Sequence, residues 1–270
     1  MKIIKYKKLP GNKYKITLDN NDIILYEDII IKNMILLKKD IKEEELKQYL
    51  NENIFYEGYY KALNYIKFRM RSTSEIEKYL AKEVNKDLIE KIVLKLTKEG
   101  YLNDDYFTIC YINDSINLKN IGPNKIIYEL EKLGIDKSII DKNIKVFTKE
   151  KEEEKIKKLI DKKVKTNKNK SVYNLKNNIK LNLINQGFNV EIIDENINKI
   201  NFDETSIYEK EYNKLYNKLS KKYTSYELEQ KIKQKLYQKG LLDGVGMQSH
   251  VPANATGFAG TESYIYAMKK

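Results

Sequence analysis

The sequence has one cysteine, one histidine and no tryptophan among its 270 residues. Cys110 has no second cysteine with which to form an intrachain disulfide or a Cys-based metal cage, which favours a reducing compartment. The single histidine is His250, so the familiar zinc sites and Cys/His or Ser/His/Asp catalysis would all depend on the last 21 residues. We therefore expect a protein that is not an enzyme and that carries no cofactor or metal.

Proline and glycine are also scarce, with three and eleven residues, which excludes collagen-like and glycine-rich β structures and leaves helix as the expected secondary structure. No apolar run approaches the roughly 18 residues of a membrane span. The N-terminus becomes charged again before the apolar segment of a signal peptide can form. We expect a mainly α-helical, cytoplasmic protein that does not bind membranes.

The first 25 residues follow a different pattern from the rest of the chain. Apolar and polar side chains alternate between residues 13 and 18, a polar segment follows, and an apolar run resumes at Ile23 to Leu25. This pattern predicts a β-hairpin behind a leading strand at Ile3-Ile4. From about Asp28 the apolar period becomes helical, so we predict that residues 1–57 form a small β/α cap.

Three later segments align without gaps, and each ends at a glycine. These glycines, Gly134, Gly187 and Gly240, are separated by 53 residues each, and each follows an isoleucine and a leucine that are four residues apart. An earlier copy has Ile76 and Leu80 at the equivalent positions. We expect each glycine to end a helix in a left-handed conformation and to have no further role, since no phosphate-binding spacing accompanies it. The period predicts tandem three-helix repeats that stack into an elongated, curved array.

The predicted repeats occupy residues 58–101, 102–148 and 149–201, and an incomplete fourth repeat occupies residues 202–243. Beyond it, residues 244–270 are rich in Ala, Gly, Ser and Thr and contain four of the six alanines of the chain. Such a change in composition indicates a foreign or disordered tail, which should be excluded from functional reasoning. The alternative is a flexible tail that binds a partner.

Arginine occurs only at Arg69 and Arg71, against 49 lysines. The forked guanidinium binds carboxylates, phosphates and carbonyl clusters in a bidentate way that an ammonium cannot. Ser72 and Glu75 have the spacing of a capping box, which would end one helix and begin the next. This Arg-x-Arg-Ser-x-x-Glu-Ile string resembles the first repeat of the RecX family of recombination regulators. Further segments that resemble the family are Ala62-Leu63, Tyr79-Leu80, Gly100-Tyr101-Leu102-Asn103-Asp104, and Gly122-Pro123 followed by Ile126, Glu129, Leu130 and Gly134.

The resemblance covers about residues 1 to 243, because the N-terminal strands are also similar to an extension of the Gram-positive members. The incomplete fourth repeat departs from the family pattern. The resemblance implies a monomeric regulator that binds the RecA recombinase filament and modulates its assembly, ATPase and strand exchange, in the direction of inhibition, during recombination, DNA repair and the SOS response. The net charge of +12 also favours an acidic partner, so single- or double-stranded DNA is a further candidate.

Lysine is concentrated between residues 149 and 181, where the local net charge is +7. Such a run could face phosphates, but a solvated helix face in a lysine-rich sequence would look the same. The alternative function is therefore a nucleic-acid-binding repeat protein without sequence preference that acts without a recombinase. The residues expected to contact the partner are Lys67, Arg69, Arg71, Lys119, Lys125, Lys157, Lys158, Lys162 and Lys163. The lysine run continues at Lys165, Lys168 and Lys170.

Each of these groups also has a structural interpretation. Arg69 and Arg71 could pair with Glu75 or Glu77, or with carbonyls at a helix end. The oxygens of residues 103–105 are more typical of a helix N-cap than of a metal site. Tyrosines that could stack on nucleobases, but whose helical spacing favours core positions with the hydroxyl at the surface, are Tyr59, Tyr60, Tyr65 and Tyr79.

Overall fold

The structure is a computed structural model that describes residues 1–167 and 169–242. The predictions about Lys168 and about the tail 244–270 lie outside the described residues. The chain begins with a three-stranded antiparallel sheet in the order β1-β2-β3. The strands are β1 (Ile3–Leu9), β2 (Lys13–Leu18) and β3 (Asp22–Tyr26).

The predicted hairpin is confirmed as β2 and β3, which pair with Ile16 opposite Ile23. The leading strand is longer than the predicted Ile3-Ile4, because β1 continues to Leu9 and pairs along the whole length of β2. Four lysines lie on this edge strand or beside it, and charged side chains on an edge strand oppose pairing with another chain. Along β2, the apolar side chains of Ile16 and Leu18 share one face of the sheet, and both are buried.

Helices form almost all of the remaining ordered structure. Within the described residues strands are confined to the first 26 positions, which confirms the mainly α-helical class behind a small β segment. None of these described helices combines the length and the apolar character needed to cross a bilayer. The α-helices are α1 (Glu27–Lys32), α2 (Glu43–Phe68), α3 (Thr73–Leu80), α4 (Lys86–Lys98), α5 (Asp104–Leu118), α6 (Pro123–Lys132), α7 (Lys137–Asn143), α8 (Lys149–Lys165), α9 (Val172–Asn185), α10 (Val190–Ile197), α11 (Thr205–Leu219) and α12 (Ser225–Gln238). Two 3₁₀ helices cover Ile35–Leu37 and Ile144–Val146.

Helix α2 is continuous through the predicted boundary between cap and first repeat at residue 57. Its N-terminal half, with Leu46 and Tyr49, packs in the core of the sheet and α1. Its C-terminal half, with Tyr59 and Ala62, packs in the core formed with α3 and α4. One helix therefore contributes to both cores, and the boundary lies inside it.

The repeated isoleucine and leucine are buried in every predicted repeat, which agrees with a helical repeat. They lie one turn apart on α3, α6, α9 and α12, so the two side chains of each helix lie on the same face of that helix. The pairs are Ile76 and Leu80, Ile126 and Leu130, Ile179 and Leu183, and Ile232 and Leu236, and none is more than 3% exposed.

The chain divides into two compact units. The first comprises Met1–Asp114 and Ile127–Lys145, and the second comprises Ser115–Ile126 and the described residues from Val146 onward. In the first unit the sheet with α1 forms one core, and α2, α3 and α4 form another. In the second unit α8, α9 and α10 pack against one another, and α11 packs on α12.

A hydrogen-bonded joint recurs at equivalent places in the predicted repeats. The residue that caps the N-terminus of the second helix of one repeat donates to a carbonyl at the C-terminus of the second helix of the next. This contact satisfies a carbonyl that the helix leaves without an internal partner. The three pairs are the Ser72 hydroxyl with the Leu133 carbonyl (2.6 Å), the Gly122 amide with the Gln186 carbonyl (2.8 Å), and the Ser171 hydroxyl with the Lys239 carbonyl (2.8 Å).

The glycines predicted to end helices do so in the left-handed conformation, with φ of +76° at Gly134, +81° at Gly187 and +66° at Gly240. The expectation that they have no further role is wrong. A Cβ on Gly187 would overlap the backbone amide of Lys125, and a Cβ on Gly122 would overlap the Gly187 carbonyl. Glycine is therefore needed here both to end the helix and to let two backbones approach closely.

Candidate partner-binding surfaces

Arg69 follows the last residue of α2 and binds the carboxylate of Glu75 on α3. Its Nη2 lies 2.5 Å from Glu75 Oε1 and its Nη1 lies 3.3 Å from Glu75 Oε2, which is a bidentate pair. Nη1 also donates to the Met70 carbonyl at 3.0 Å. The side chain is nevertheless half exposed, so one side of the guanidinium faces solvent.

Arg71 is mostly enclosed in the same corner, with 11% of its side chain exposed. Its guanidinium carbon lies 3.7 Å from the centre of the Tyr65 ring, and the Tyr65 ring stacks on Tyr79 at 4.2 Å with 8° between the planes. Nη1 also lies 3.3 Å from Glu75 Oε1. These contacts support the structural interpretation of Arg71 and leave Arg69 as the more accessible arginine.

Glu75 connects the two arginines to the start of α3. The capping box is present, because the Glu75 amide donates to Ser72 Oγ and the Ser72 amide donates to Glu75 Oε2, both at 3.2 Å. Burial alone would raise the pKa of the Glu75 carboxyl. Hydrogen bonds from Arg69 and from the Ser72 amide, with the charge of Arg69, outweigh burial and hold this pKa below its ordinary value.

Large apolar side chains are exposed on both sides of Arg69. Phe68 is 84% exposed and Met70 is 43% exposed, and the predicted contact residue Lys67 is exposed as well. Exposed aromatic, methionine and arginine side chains side by side are typical of protein interfaces. Phe68 and Met70 were not expected at a binding surface from the sequence, although both flank Arg69. We call residues 67–70 the helix-end patch.

The lysines on α8 fall into two groups. Lys157 is paired with Glu153 at 2.7 Å and Lys158 with Glu154 at 2.6 Å, in each case one helical turn earlier. Within the described residues, neither Lys162 nor Lys163 has a carboxylate partner. The expected contact residues on α8 therefore differ in how far a neighbouring carboxylate balances their positive charge.

Lys162 and Lys163 line a groove of about 270 Å³ in the second unit. Amide side chains of the α5–α6 loop and of the C-terminal part of α9 face them, and apolar side chains lie between. The other lining residues are Asn120, Leu159, Ile179, Asn182, Leu183 and Gln186.

The remaining predicted lysines also lie in the second unit. Lys119 follows the end of α5 and Lys125 lies on α6, and both are half-buried. Lys165 and Lys170 are exposed. None of these four residues is among those lining the groove.

Tyr59, Tyr60 and Tyr65 pack in or against the core, as the core interpretation expects, whereas Tyr79 is 38% exposed. Tyr59 is buried and its hydroxyl donates to Glu99 at 2.5 Å, while the Tyr60 hydroxyl donates to Asp28 at 2.7 Å. Burial first, and then the hydrogen bond to Asp28, raise the pKa of Tyr60 to about 12. Tyr65 lies between Arg71 and Tyr79, as described above.

Residues 103–105 act as a helix start. Asn103 Oδ1 accepts the Tyr106 amide at 2.9 Å, and Asp104 Oδ1 accepts the Thr73 amide at 2.8 Å. Asp105 is hydrogen-bonded to Asn143 and paired with Lys142, and these contacts lower the pKa of its carboxyl. The part of the chain that the structure describes contains no group of three or more His, Cys, Asp or Glu residues able to hold a metal ion.

Comparison with known proteins finds similar sequences in several bacteria. A regulatory protein RecX of Lactococcus lactis is 32% identical over 199 residues, which cover 71% of this chain and 73% of that protein. The regulatory protein RecX of Bacillus subtilis is 28% identical over 210 residues, covering 77% and 80%. For the protein of the same name from Bacillus cytotoxicus, the match is 29% identical but spans only 62% of that protein. No family model matches the sequence.

Solved structures show the same fold. A crystal structure of a regulatory protein RecX covers 74% of this chain and 100% of its own with a TM-score of 0.62, at 24% identity. The RecX structure from Lactobacillus salivarius covers 55% of this chain and 97% of its own with a TM-score of 0.51, at 30% identity. The fold and surfaces thus define a helical repeat protein with a small N-terminal sheet and exposed basic and apolar patches. The chain belongs to the RecX family of regulatory proteins.

Proposed function

We propose that this protein regulates a RecA-type recombinase by binding its filament on DNA, and that it inhibits filament assembly, ATP hydrolysis and strand exchange in recombination, DNA repair and the SOS response. It acts as a cytoplasmic monomer and without catalysis of its own. The observation that carries this proposal is the 32% identity to a regulatory protein RecX over 73% of that protein's length.

Two surfaces support a role in binding. In the first unit, the helix-end patch offers Arg69 between the exposed side chains of Phe68 and Met70, a combination that suits a protein partner. In the second unit, Lys162 and Lys163 offer positive charge that no carboxylate of the described residues neutralises. Lys119, Lys125, Lys157 and Lys158 remain candidates for weaker, solvent-screened contacts.

A titration of the protein into recombinase, single-stranded DNA and ATP tests this function. The expected result is a saturable fall in DNA-dependent ATP hydrolysis and a loss of filament signal in light scattering. An unchanged rate of hydrolysis, with no binding of the protein to preformed filaments, would contradict the proposal. An increase in the rate of hydrolysis would support binding to the filament but would contradict inhibition.

The alternative is a nucleic-acid-binding protein that needs no recombinase, and it is favoured by Lys162 and Lys163, which have no carboxylate partner in the part of the chain that the structure describes. The two functions differ in what binding requires. A regulator of the filament binds DNA coated with recombinase more tightly than bare DNA. A plain nucleic-acid-binding protein binds bare DNA at least as well, with an affinity that falls steeply with salt because counterions are released.

A further inference from the structure

The groove beside α8 has three chemically different walls. Lys162 and Lys163 supply positive charge, Asn120, Asn182 and Gln186 supply carboxamides, and leucine and isoleucine side chains form the apolar part. Its volume of about 270 Å³ lies just below the range of about 300 to 1,000 Å³ typical of small-molecule sites. A groove of this volume can hold a single nucleotide or a few amino-acid side chains, but not a larger ligand.

No carboxylate among the described residues neutralises the positive wall, and the reason is its position on the helix. Lysines on a helix pair best with an acid four residues earlier. Lys157 and Lys158 have Glu153 and Glu154 at that position, whereas Lys162 has Lys158 and Lys163 has Leu159. The two lysines that line the groove therefore keep their ammonium groups available for an anion.

Gln186 is a lining residue of the groove, and its side-chain oxygen has no hydrogen-bond partner among the described residues. Its Oε1 is buried and accepts no hydrogen bond from the described residues, which is costly for a polar atom. Its backbone is fixed, because its carbonyl accepts the Gly122 amide at 2.8 Å in the joint described above. An occupant that stabilises this oxygen must donate a hydrogen bond, which an ionised carboxylate or a fully ionised phosphate cannot do.

We propose that the groove holds one nucleotide of a single-stranded nucleic acid, with its phosphate on Lys162 and Lys163 and its base edge on the carboxamides. A nucleobase edge carries both donors and acceptors, which matches Gln186, Asn182 and Asn120. The apolar side chains then cover the base. In a duplex these base edges are paired, so the groove selects single strands. This inference rests on the proposed function only for its biological context, in which the single strand is the DNA bound by a recombinase filament.

The phosphate contact is tested with K162Q/K163Q against the matched control K157Q/K158Q, which removes the same charge from the same helix. Binding of a fluorescein-labelled single-stranded oligodeoxynucleotide is measured by anisotropy without recombinase over a salt series. We expect K162Q/K163Q to weaken binding about tenfold or more at low salt and to reduce the salt slope by about 1.4, the value for two lost contacts to a single strand. Equal losses in the two variants, or no binding by the wild type, would overturn the proposal.

The base contact is tested with Q186M, which keeps the size of the side chain and removes its amide, on the same strand and on an abasic strand of equal length. We expect Q186M to weaken binding of the base-bearing strand several-fold at an unchanged salt slope, and to leave abasic binding unchanged. Equal effects on both strands, or none on either, would overturn the base contact. Circular dichroism melts of all variants confirm folding.

Two further measurements separate this site from other occupants and from the proposed function. If K162Q/K163Q loses binding to a poly-glutamate peptide but keeps binding to single strands, the groove holds an acidic protein segment and the proposal fails. If the variants behave as expected on bare strands while wild-type protein leaves recombinase ATP hydrolysis unchanged, the nucleotide site stands and the proposed function fails.

Discussion

The guanidinium carbon of Arg71 lies 3.7 Å from the centre of the Tyr65 ring, and the same ring stacks on Tyr79 with 8° between the planes. This stack joins the end of α2 to α3 at the place where the helix-end patch begins. Arginine suits the position because its planar, weakly hydrated cation stacks on an aromatic face, which an ammonium does less well. Arg71 and Arg69 also share the carboxylate of Glu75, with Arg71 on the enclosed side and Arg69 on the exposed side of this corner.

The first prediction separates the two arginines. We expect R71K to lower the free energy of unfolding by about 1 to 2 kcal/mol, because lysine loses the planar stack on Tyr65. We expect R69K to cost about 1 kcal/mol or less, because that side chain is half exposed. Urea denaturation of both variants measures the difference, and equal losses would contradict the assignment.

The same two variants test the partner contact. If Arg69 binds the recombinase, R69K weakens filament binding while its unfolding curve stays close to that of the wild type. R71K should weaken binding only in proportion to its loss of stability. Should filament binding be unchanged in R69K, and also in the double variant R69K/R71K, the groove beside α8 becomes the better candidate for the contact surface.

The second prediction concerns the joint between α6 and α9. Gly187 and Gly100 have nearly the same left-handed backbone, with φ of +81° and +79°, but a Cβ at Gly100 would meet no atom within 4 Å. We expect G100A to cost about 1 to 2 kcal/mol, the cost of the left-handed conformation alone. We expect G187A to cost at least about 3 kcal/mol, because its Cβ also overlaps the backbone of Lys125. Chemical denaturation measures both, and equal costs would show that the joint is adaptable.

The repeat was predictable because it depends on local sequence. An isoleucine and a leucine one turn apart, followed by glycine, specify an amphipathic helix and its end, and in the structure all four pairs are buried. The continuity of α2 was not predictable in this way. Gly58, a residue unfavourable in a helix interior, lies at the predicted boundary. A Cβ at this position would come within 2.7 Å of Ile92 Cδ1, so the close packing of Ile92 accounts for glycine within α2.

The candidate site was predictable to a smaller extent. The spacing of lysines and glutamates on α8 already distinguishes Lys157 and Lys158 from Lys162 and Lys163, because the i−4 neighbour is visible in the sequence. Gln186 carries no such signal. Its place in the proposed site depends on a backbone contact with Gly122, 64 residues earlier in the chain, and on burial of its amide oxygen. Contacts of that kind depend on tertiary packing.

The third prediction concerns the atypical tail, residues 244–270. The fourth repeat buries Ile232, Leu236, Leu241 and Leu242 among its own described residues. We therefore expect a chain that ends at residue 243 to keep its melting temperature within a few degrees and to bind the filament as before. Aggregation of the truncated chain, or a larger fall in melting temperature, would show that the tail completes the core of this repeat.

The last prediction follows from the carboxylate that both arginines share. Because the pKa of Glu75 is lower in the folded chain than its unfolded value of about 4.3, the folded state binds this proton more weakly. The stabilisation is complete above the unfolded pKa and is lost as the pH falls through the folded pKa.

We expect E75Q to be less stable than the wild type by about 1 to 3 kcal/mol at pH 7, because it loses charge-assisted hydrogen bonds to Arg69 and the Ser72 amide. As the pH falls below about 4.3, the stability curves of the two proteins should converge. The control is E83Q, which removes an exposed ion pair with Lys61 and should change stability less at every pH. Urea denaturation over a pH series measures all three proteins. If the stability curves of E75Q and the wild type stay parallel over the pH series, the lowered pKa of Glu75 is contradicted. If the curve of E75Q converges with that of the wild type at low pH and the curve of E83Q does not, the Glu75 carboxylate accounts for the loss of stability in acid.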